Sequence, residues 1–213
     1  MYYNNINLQR NNMKVLENFL PISYINEIER FINAPEHFQW SFYDQIANEY
    51  GDQPTIYKNP NITNPIGLAH VFIEKGKVVS DHFAFIRPIL LFLEYHTDFE
   101  IKHVLRVRAR RTMQDTRLDA NSFNPPHVDL PDAAPYKSLI YYVSDSDGDT
   151  VFFNERYNPK NGAPELKDTD VTECFRYTPK KGNGILFDGH QYHSGNSPVN
   201  YLHRTIINFD FTI

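Results

Sequence analysis

Apolar residues recur along this chain at two periods, and the change falls near residue 101. Before it the spacing is helical. Ile25, Ile28, Phe31 and Ile32 follow Pro21, a residue suited to a first helical turn, where its missing N–H is not needed. This predicts a helix over about residues 21–33. Phe83, Phe85, Ile86, Ile89, Leu90, Leu93 and Tyr95 repeat the spacing behind Ser80-Asp81, a capping pair, and predict a second helix over about 82–96. Pro88 within it predicts a kink or a fresh start. This helix is too apolar to stand alone and is expected to pack on a sheet. Between the helices, Gly67 to Phe72 and Lys77 to Val79 flank Glu74-Lys75-Gly76 as a hairpin. Residues 1–13 are Asn-rich and read as a frayed arm. Residues 34–67 hold Pro35, Pro54, Pro60 and Pro65 with no sustained period, a length of irregular chain that more often forms a lid or binding loop than filler.

After residue 101 short β-rich runs follow one another: Val104–Thr112, Ser138–Val143, Thr150–Asn154, Glu173–Thr178, Gly184–Asp188 and Thr205–Phe211. Runs of that length and spacing predict a sandwich or barrel. Asp145-Ser146-Asp147-Gly148-Asp149 reads as the turn between two of them. Its acidic residues do not make a calcium loop: the glycine is fourth rather than sixth, and Glu155 is eleventh rather than twelfth.

The 213 residues suit a single domain, 1–213, and 41% hydrophobic with 15% aromatic content suffices for a packed core. A net charge of -5 disfavours general nucleic-acid binding by bulk electrostatics, leaving room only for a local basic groove. Cys174 is the only cysteine, so no intrachain disulfide forms, which fits a reducing, cytoplasmic setting. No apolar run reaches membrane-spanning length, and the N-terminus lacks the charged start and apolar stretch of a signal peptide.

Candidate chemistry centres on Pro125-Pro126-His127-Val128-Asp129. If that stretch is extended, His127 and Asp129 project from one face, because side chains alternate along a strand. An imidazole and a carboxylate side by side suit two ligands of one metal. Iron(II) sites of the two-histidine, one-carboxylate type add a distant histidine and keep open positions. His190 and His193 are the candidates for that third ligand.

Several segments then occur in order: His127-x-Asp129; Ile140-Tyr141-Tyr142; Asp147-Gly148-Asp149-Thr150-x-Phe152-Phe153; Phe187-Asp188-Gly189; His193-Ser194-Gly195; and Arg204. This set resembles the iron(II)- and 2-oxoglutarate-dependent dioxygenases, and within them the prolyl-4-hydroxylase-like branch. The resemblance covers roughly residues 102–211, about half the chain. It implies a mainly β fold with flanking helices: a double-stranded β-helix (a cupin-like jelly roll) over 102–213, supported by 1–101, with a metal at its open end. It implies that His127, Asp129 and His193 bind iron(II) and are the catalytic residues. His193 is preferred to His190 because Arg204 lies eleven residues after it, near the family's spacing of about ten. Arg204 would pair with the distal carboxylate of 2-oxoglutarate, its planar fork matching that group. Tyr142 matches a tyrosine whose hydroxyl assists; Tyr141 must point the other way. Residues 204, 206, 208 and 210 share a strand face, so Asn208 is expected to face the co-substrate too.

One departure stands out. Many relatives carry a tyrosine on the strand before His-x-Asp, whereas this strand reads Leu105-Arg106-Val107-Arg108-Ala109-Arg110-Arg111. Arg106, Arg108 and Arg110 share a face, and either line the barrel mouth or blunt a solvated edge strand. The implied reaction consumes O2 and 2-oxoglutarate, releases succinate and CO2, and hydroxylates a C–H bond of a peptide or small molecule. Asp129 favours hydroxylation, since halogenating relatives carry a small residue there. Two other readings are a non-redox metal-binding jelly roll, against which Arg204 and Tyr142 argue, and a nucleic-acid demethylase of the same superfamily, which the net charge disfavours.

Overall fold

Twelve strands and three helices are seen in the computed structural model, which describes residues 6–10, 13–44, 46, 65–118, 123–131, 133–158 and 171–213, with side chains from Met13 onward. The strands are β1 (Ile6–Arg10), β2 (Met13–Leu16), β3 (Ser41–Tyr43), β4 (Gly67–Glu74), β5 (Lys77–Val78), β6 (His103–Met113), β7 (Lys137–Tyr142), β8 (Thr150–Arg156), β9 (Glu173–Tyr177), β10 (Gly184–Asp188), β11 (Gln191–Gly195) and β12 (His203–Thr212). Nine form one antiparallel sheet, ordered β1-β2-β10-β7-β12-β6-β4-β3 with β5 on β4; the small sheet is β11-β8-β9. The sheets face each other, and Met13, Val15, Ile140, Tyr142, Phe152, Ile185, Phe187 and Ile206 fill the space between them. This is the mainly β jelly roll with flanking helices expected from the sequence.

The helices α1 (Ile22–Ile32), α2 (Phe83–Ile86) and α3 (Pro88–Tyr95) pack on the outer face of the large sheet. Ile25, Ile28 and Ile32 of α1 and Ile86, Ile89 and Leu93 of α2 and α3 bury against Val107, Ala109, Leu139, Tyr141, Ile207, Phe209 and Phe211. The predicted helix at 82–96 is two pieces, because Pro88 has no N–H to continue α2 and instead opens α3. Ser80 does not cap by its side chain in the usual way; its carbonyl accepts from Phe83 N–H at 3.0 Å, and its Oγ accepts from His82 N–H at 3.3 Å. No helix among the described residues is long and apolar enough to cross a membrane.

Three expectations need correction. The N-terminal stretch is not frayed throughout: the backbone of Ile6–Arg10 pairs with β2, which pairs with β10. The irregular segment 34–67 contributes β3, an edge strand on β4, while most of residues 45–64 lie outside the described residues. The 145–149 turn does not close a hairpin, since β7 and β8 lie in different sheets. Its acids pin loops: Asp147 accepts from the N–H groups of Val199 (3.1 Å) and Asn200 (2.8 Å), and Asp145 from that of Lys181 (2.8 Å). Of the two readings of the arginine strand, the edge strand is excluded. β6 is paired on both sides, by β12 and β4.

Candidate metal centre

Pro125 and Pro126 cannot donate to a ladder, and each biases the residue before it toward extended backbone. The segment therefore forms no strand. Only His127 bridges, exchanging hydrogen bonds with His193: N–H to carbonyl at 2.9 Å one way and 3.0 Å the other. This single bridge does what the expected strand was to do. Val128 turns outward to pack with Val151, Phe153 and Tyr192, while His127 and Asp129 line the interior cavity.

His127, Asp129 and His193 each offer one ligand atom, and these atoms lie within 4.8 Å of one another. Backbone carbonyls orient both rings. His127 Nδ1 lies 3.0 Å from the Pro125 carbonyl, and His193 Nδ1 lies 3.1 Å from that of Gln191. A carbonyl only accepts, so both Nδ1 atoms carry the hydrogen, which leaves Nε2 as the ligand atom of each neutral ring. His193 Nε2 faces Asp129 Oδ2 at 3.4 Å. Oδ2 is buried and has no hydrogen-bond donor. Two ring nitrogens and a carboxylate oxygen converging in a buried site form a donor set that could hold a metal ion.

Electrostatics keep the cluster ready for one. Burial alone would raise the Asp129 pKa, but the Arg106 guanidinium above all holds it well below the usual carboxylate range. Burial, followed by the neighbouring His193, pushes His127 down to about 3, so its ring is neutral at pH 7. His190, the other histidine considered, stands outside the cluster. It packs edge-on to Tyr136 with ring centroids 5.2 Å apart.

The same cavity is lined by Arg110, Thr112, Asn124, Arg204, Ile206 and Asn208. Arg204 is 3% exposed and makes no ion pair among the described residues. Its Nη2 donates to Thr150 Oγ1 at 2.7 Å, and its Nε has no acceptor. Burial pulls its pKa below the ordinary arginine value, from a starting point high enough that the charge stays. Gly195 makes the room: a Cβ there would stand 2.8 Å from Arg204 Nη1. Tyr142 points between the two sheets and stands behind Arg204 rather than on the cavity wall. Its hydroxyl meets Thr150 Oγ1 at 2.7 Å, and its ring centroid is 5.8 Å from the guanidinium carbon. Tyr141 points outward, edge-on to Phe19. Asn208 is 5% exposed with its side-chain oxygen unpaired.

The three inward arginines of β6 have different surroundings. Arg106 bonds Asp129 and Asp210, Arg108 bonds Glu74, and Arg110 lines the cavity. Sequence reasoning missed Arg106 as a partner of Asp129, and it missed Thr150 and Asn124. Thr150 lay within the Asp-Gly-Asp-Thr segment that was singled out. Asn124 carried no signal; its side-chain amide donates to the Gly195 carbonyl at 2.7 Å, and its main-chain carbonyl accepts from Ser194 Oγ at 2.5 Å.

No family model matches the sequence, and no curated protein matches it. Solved structures do match in fold. A 2OG-Fe(II) oxygenase-family oxidoreductase from Burkholderia pseudomallei superposes with a TM-score of 0.60 at 12% identity, over 94% of this chain and 85% of that one. The non-heme alpha-ketoglutarate-dependent epimerase SnoN from nogalamycin biosynthesis gives 0.59 at 10% identity, over 95% and 79%. A prolyl hydroxylase from Trichoplax adhaerens, solved with a hypoxia-inducible-factor peptide, gives 0.56 at 12% identity, over 95% and 84%. At such identities the likeness is one of fold: the chain has the jelly roll of 2OG-Fe(II) oxygenases, prolyl hydroxylases among them.

Proposed function

We propose that this protein is an iron(II)- and 2-oxoglutarate-dependent dioxygenase that hydroxylates a C–H bond of a peptide or small molecule. The observation that carries the reading is a buried Arg204, without an ion pair among the described residues, in the same cavity as the His127, Asp129 and His193 cluster. An isolated buried cation is costly, so the cavity is built for an anion. A dicarboxylate that reaches a metal with one end and a guanidinium with the other satisfies both halves. The neighbours fit this chemistry: SnoN has been solved with Fe3+, alpha-ketoglutarate and a nogalamycin compound, and the prolyl hydroxylase with a peptide.

The donor set suits the metal. His127 and His193 present Nε2, and Asp129 presents Oδ2, the two-imidazole, one-carboxylate set of non-heme iron(II) oxygenases. With 2-oxoglutarate and O2, iron(II) bound there supplies an oxidant that hydroxylates C–H bonds and leaves succinate and CO2. Arg204 holds the distal carboxylate in a two-donor grip. Thr150 and Tyr142 fix the guanidinium from behind, and the neutral Tyr142 hydroxyl stays protonated because burial raises its pKa. Asn208, two repeats of the pleat further along β12, offers its amide to the same co-substrate. Ile140 and Ile206 give the cavity dry walls, which strengthens each of these contacts.

Succinate release over a range of 2-oxoglutarate concentrations tests the reading. Arg204→Met is expected to raise the KM for 2-oxoglutarate by about 100-fold or more, with metal binding retained, and Arg204→Lys to recover only part. Unchanged 2-oxoglutarate dependence in Arg204→Met would overturn it.

A further inference from the structure

Two carboxylates and one guanidinium are buried together at the edge of the metal site. Arg106 is 3% exposed, and the side chains of Asp129 and Asp210 are 3% and 0% exposed. Arg106 uses three of its donors. Nη2 bonds Asp129 Oδ1 at 2.6 Å, Nη1 bonds the Asp129 backbone carbonyl at 3.0 Å, and Nε bonds Asp210 Oδ2 at 2.9 Å. Asp210 is held from its other oxygen by Ser138 Oγ at 2.6 Å. Such a buried charge cluster is a poor way to stabilise a fold, since well-packed apolar residues often do as well or better. It has a directional consequence instead. The fork takes both the side chain and the main chain of Asp129, so the carboxylate cannot rotate, and one oxygen is left bare toward His193 Nε2.

Resting on the metal-centre reading above, we propose that Arg106 is a positioning residue. It locks Asp129 as a one-oxygen ligand, and Asp210 with Ser138 holds Arg106 in the orientation that does so. Two carboxylates against one guanidinium leave one excess negative charge in the cluster, which a divalent cation at Oδ2 offsets. Taking Oδ1 out of reach also stops the carboxylate from chelating through both oxygens, which keeps a coordination position open for co-substrate or O2. The polar face of β6 thus has a role where a tyrosine was expected from the resemblance: its first inward arginine serves the metal ligand.

Cobalt(II) binding to the apo protein, followed by calorimetry and by its visible absorption, tests this without turnover. Wild type, His193→Ala and Asp129→Asn come first. If wild type takes no cobalt, or His193→Ala takes it equally well, the metal-centre reading falls and this inference with it. Given a working site, Arg106→Gln is expected to weaken cobalt binding by about 10- to 100-fold, the usual cost of losing a partner of a ligand. In an Asp129→Asn background the same substitution should cost nothing further, because the effect passes through Asp129. Arg106→Lys keeps the charge without the fork and should recover part of the affinity. Wild-type affinity in Arg106→Gln, or a loss that simply adds to that of Asp129→Asn, would overturn the proposal. If circular dichroism shows Arg106→Gln unfolded, Arg106→Lys carries the same test: a several-fold loss that disappears in the Asp129→Asn background supports it, and equal affinity or an additive loss overturns it.

Discussion

The two faces of the nine-stranded sheet are made by the same strands and obey different rules. On the outer face β12 offers Ile207, Phe209 and Phe211, all 0% exposed against the helices. On the inner face the same strand offers Arg204, Asn208 and Asp210, which are 3%, 5% and 0% exposed. β6 divides likewise, with Val107 and Ala109 outward and Arg106 and Arg108 inward. In an ordinary antiparallel sheet the polar face meets water. Here it is roofed by a second sheet, so every polar group on it is either paired or costly. The paired ones, such as Arg106 with Asp129 and Asp210, set geometry. Three that lack a partner among the described residues, Arg204 Nε, Asp129 Oδ2 and Asn208 Oδ1, face the cavity where we propose that metal and co-substrate bind. One face lowers the free energy of the fold, and the other holds unmet demands.

Substitutions that treat the faces alike or differently can break this contrast. The largest effect is expected on the outer face: Phe209→Ala should cost about 3–5 kcal/mol of stability in chemical denaturation, with or without ligand, because it opens a cavity at a closed site. On the inner face Asp129→Ala should leave a folded protein whose cobalt(II) affinity falls at least about 100-fold, read by calorimetry, a loss of roughly 3 kcal/mol in binding. Arg204→Met should raise the apo melting temperature by the equivalent of about 1 kcal/mol or more while removing 2-oxoglutarate from the site, since it replaces an unsatisfied buried charge by a packed apolar chain. If it instead destabilises the apo protein as Phe209→Ala does, the inner face is structural and the contrast fails. The His127 pKa is lowered in the fold, so its contribution to stability is complete above about pH 6.5 and is lost as pH falls toward 3. Between pH 6.5 and 5 the difference in apo stability between wild type and His127→Gln should therefore change by about 1.6 kcal/mol in all, wild type weakening the faster. The smallest effect belongs to Tyr142→Phe. Losing one hydrogen bond to Thr150 should cost about 1 kcal/mol, seen as a KM for 2-oxoglutarate several-fold higher.

Much of this was legible in the chain. Helical spacing placed α1 within a residue at either end, and the alternation along β12 put Arg204, Ile206 and Asn208 on one face, the face that lines the cavity. Pro88 announced a break and supplied one. What escaped were features whose cause is remote in sequence. β11 was not read as a strand, because Gln191–Gly195 has no apolar alternation and owes its pairing to β8. β1 and β3 are short pieces added to an edge, held by partners rather than by propensity.

The site divides along the same line. The order of residues, through its resemblance to a known family, singled out a histidine–aspartate pair, a later histidine and an arginine eleven residues on. It determined which of Tyr141 and Tyr142 could not serve alongside the other, since adjacent residues on a strand face opposite ways. Only the tertiary structure decided that β6 is central rather than at an edge, and so that Arg106 and Arg108 are buried. Only it joined Arg106 to Asp129 and Asp210, residues 23 and 104 positions away. The physical reason is that alternation is a local property of the backbone, whereas whether a polar face meets water or a second sheet depends on which distant strands close over it.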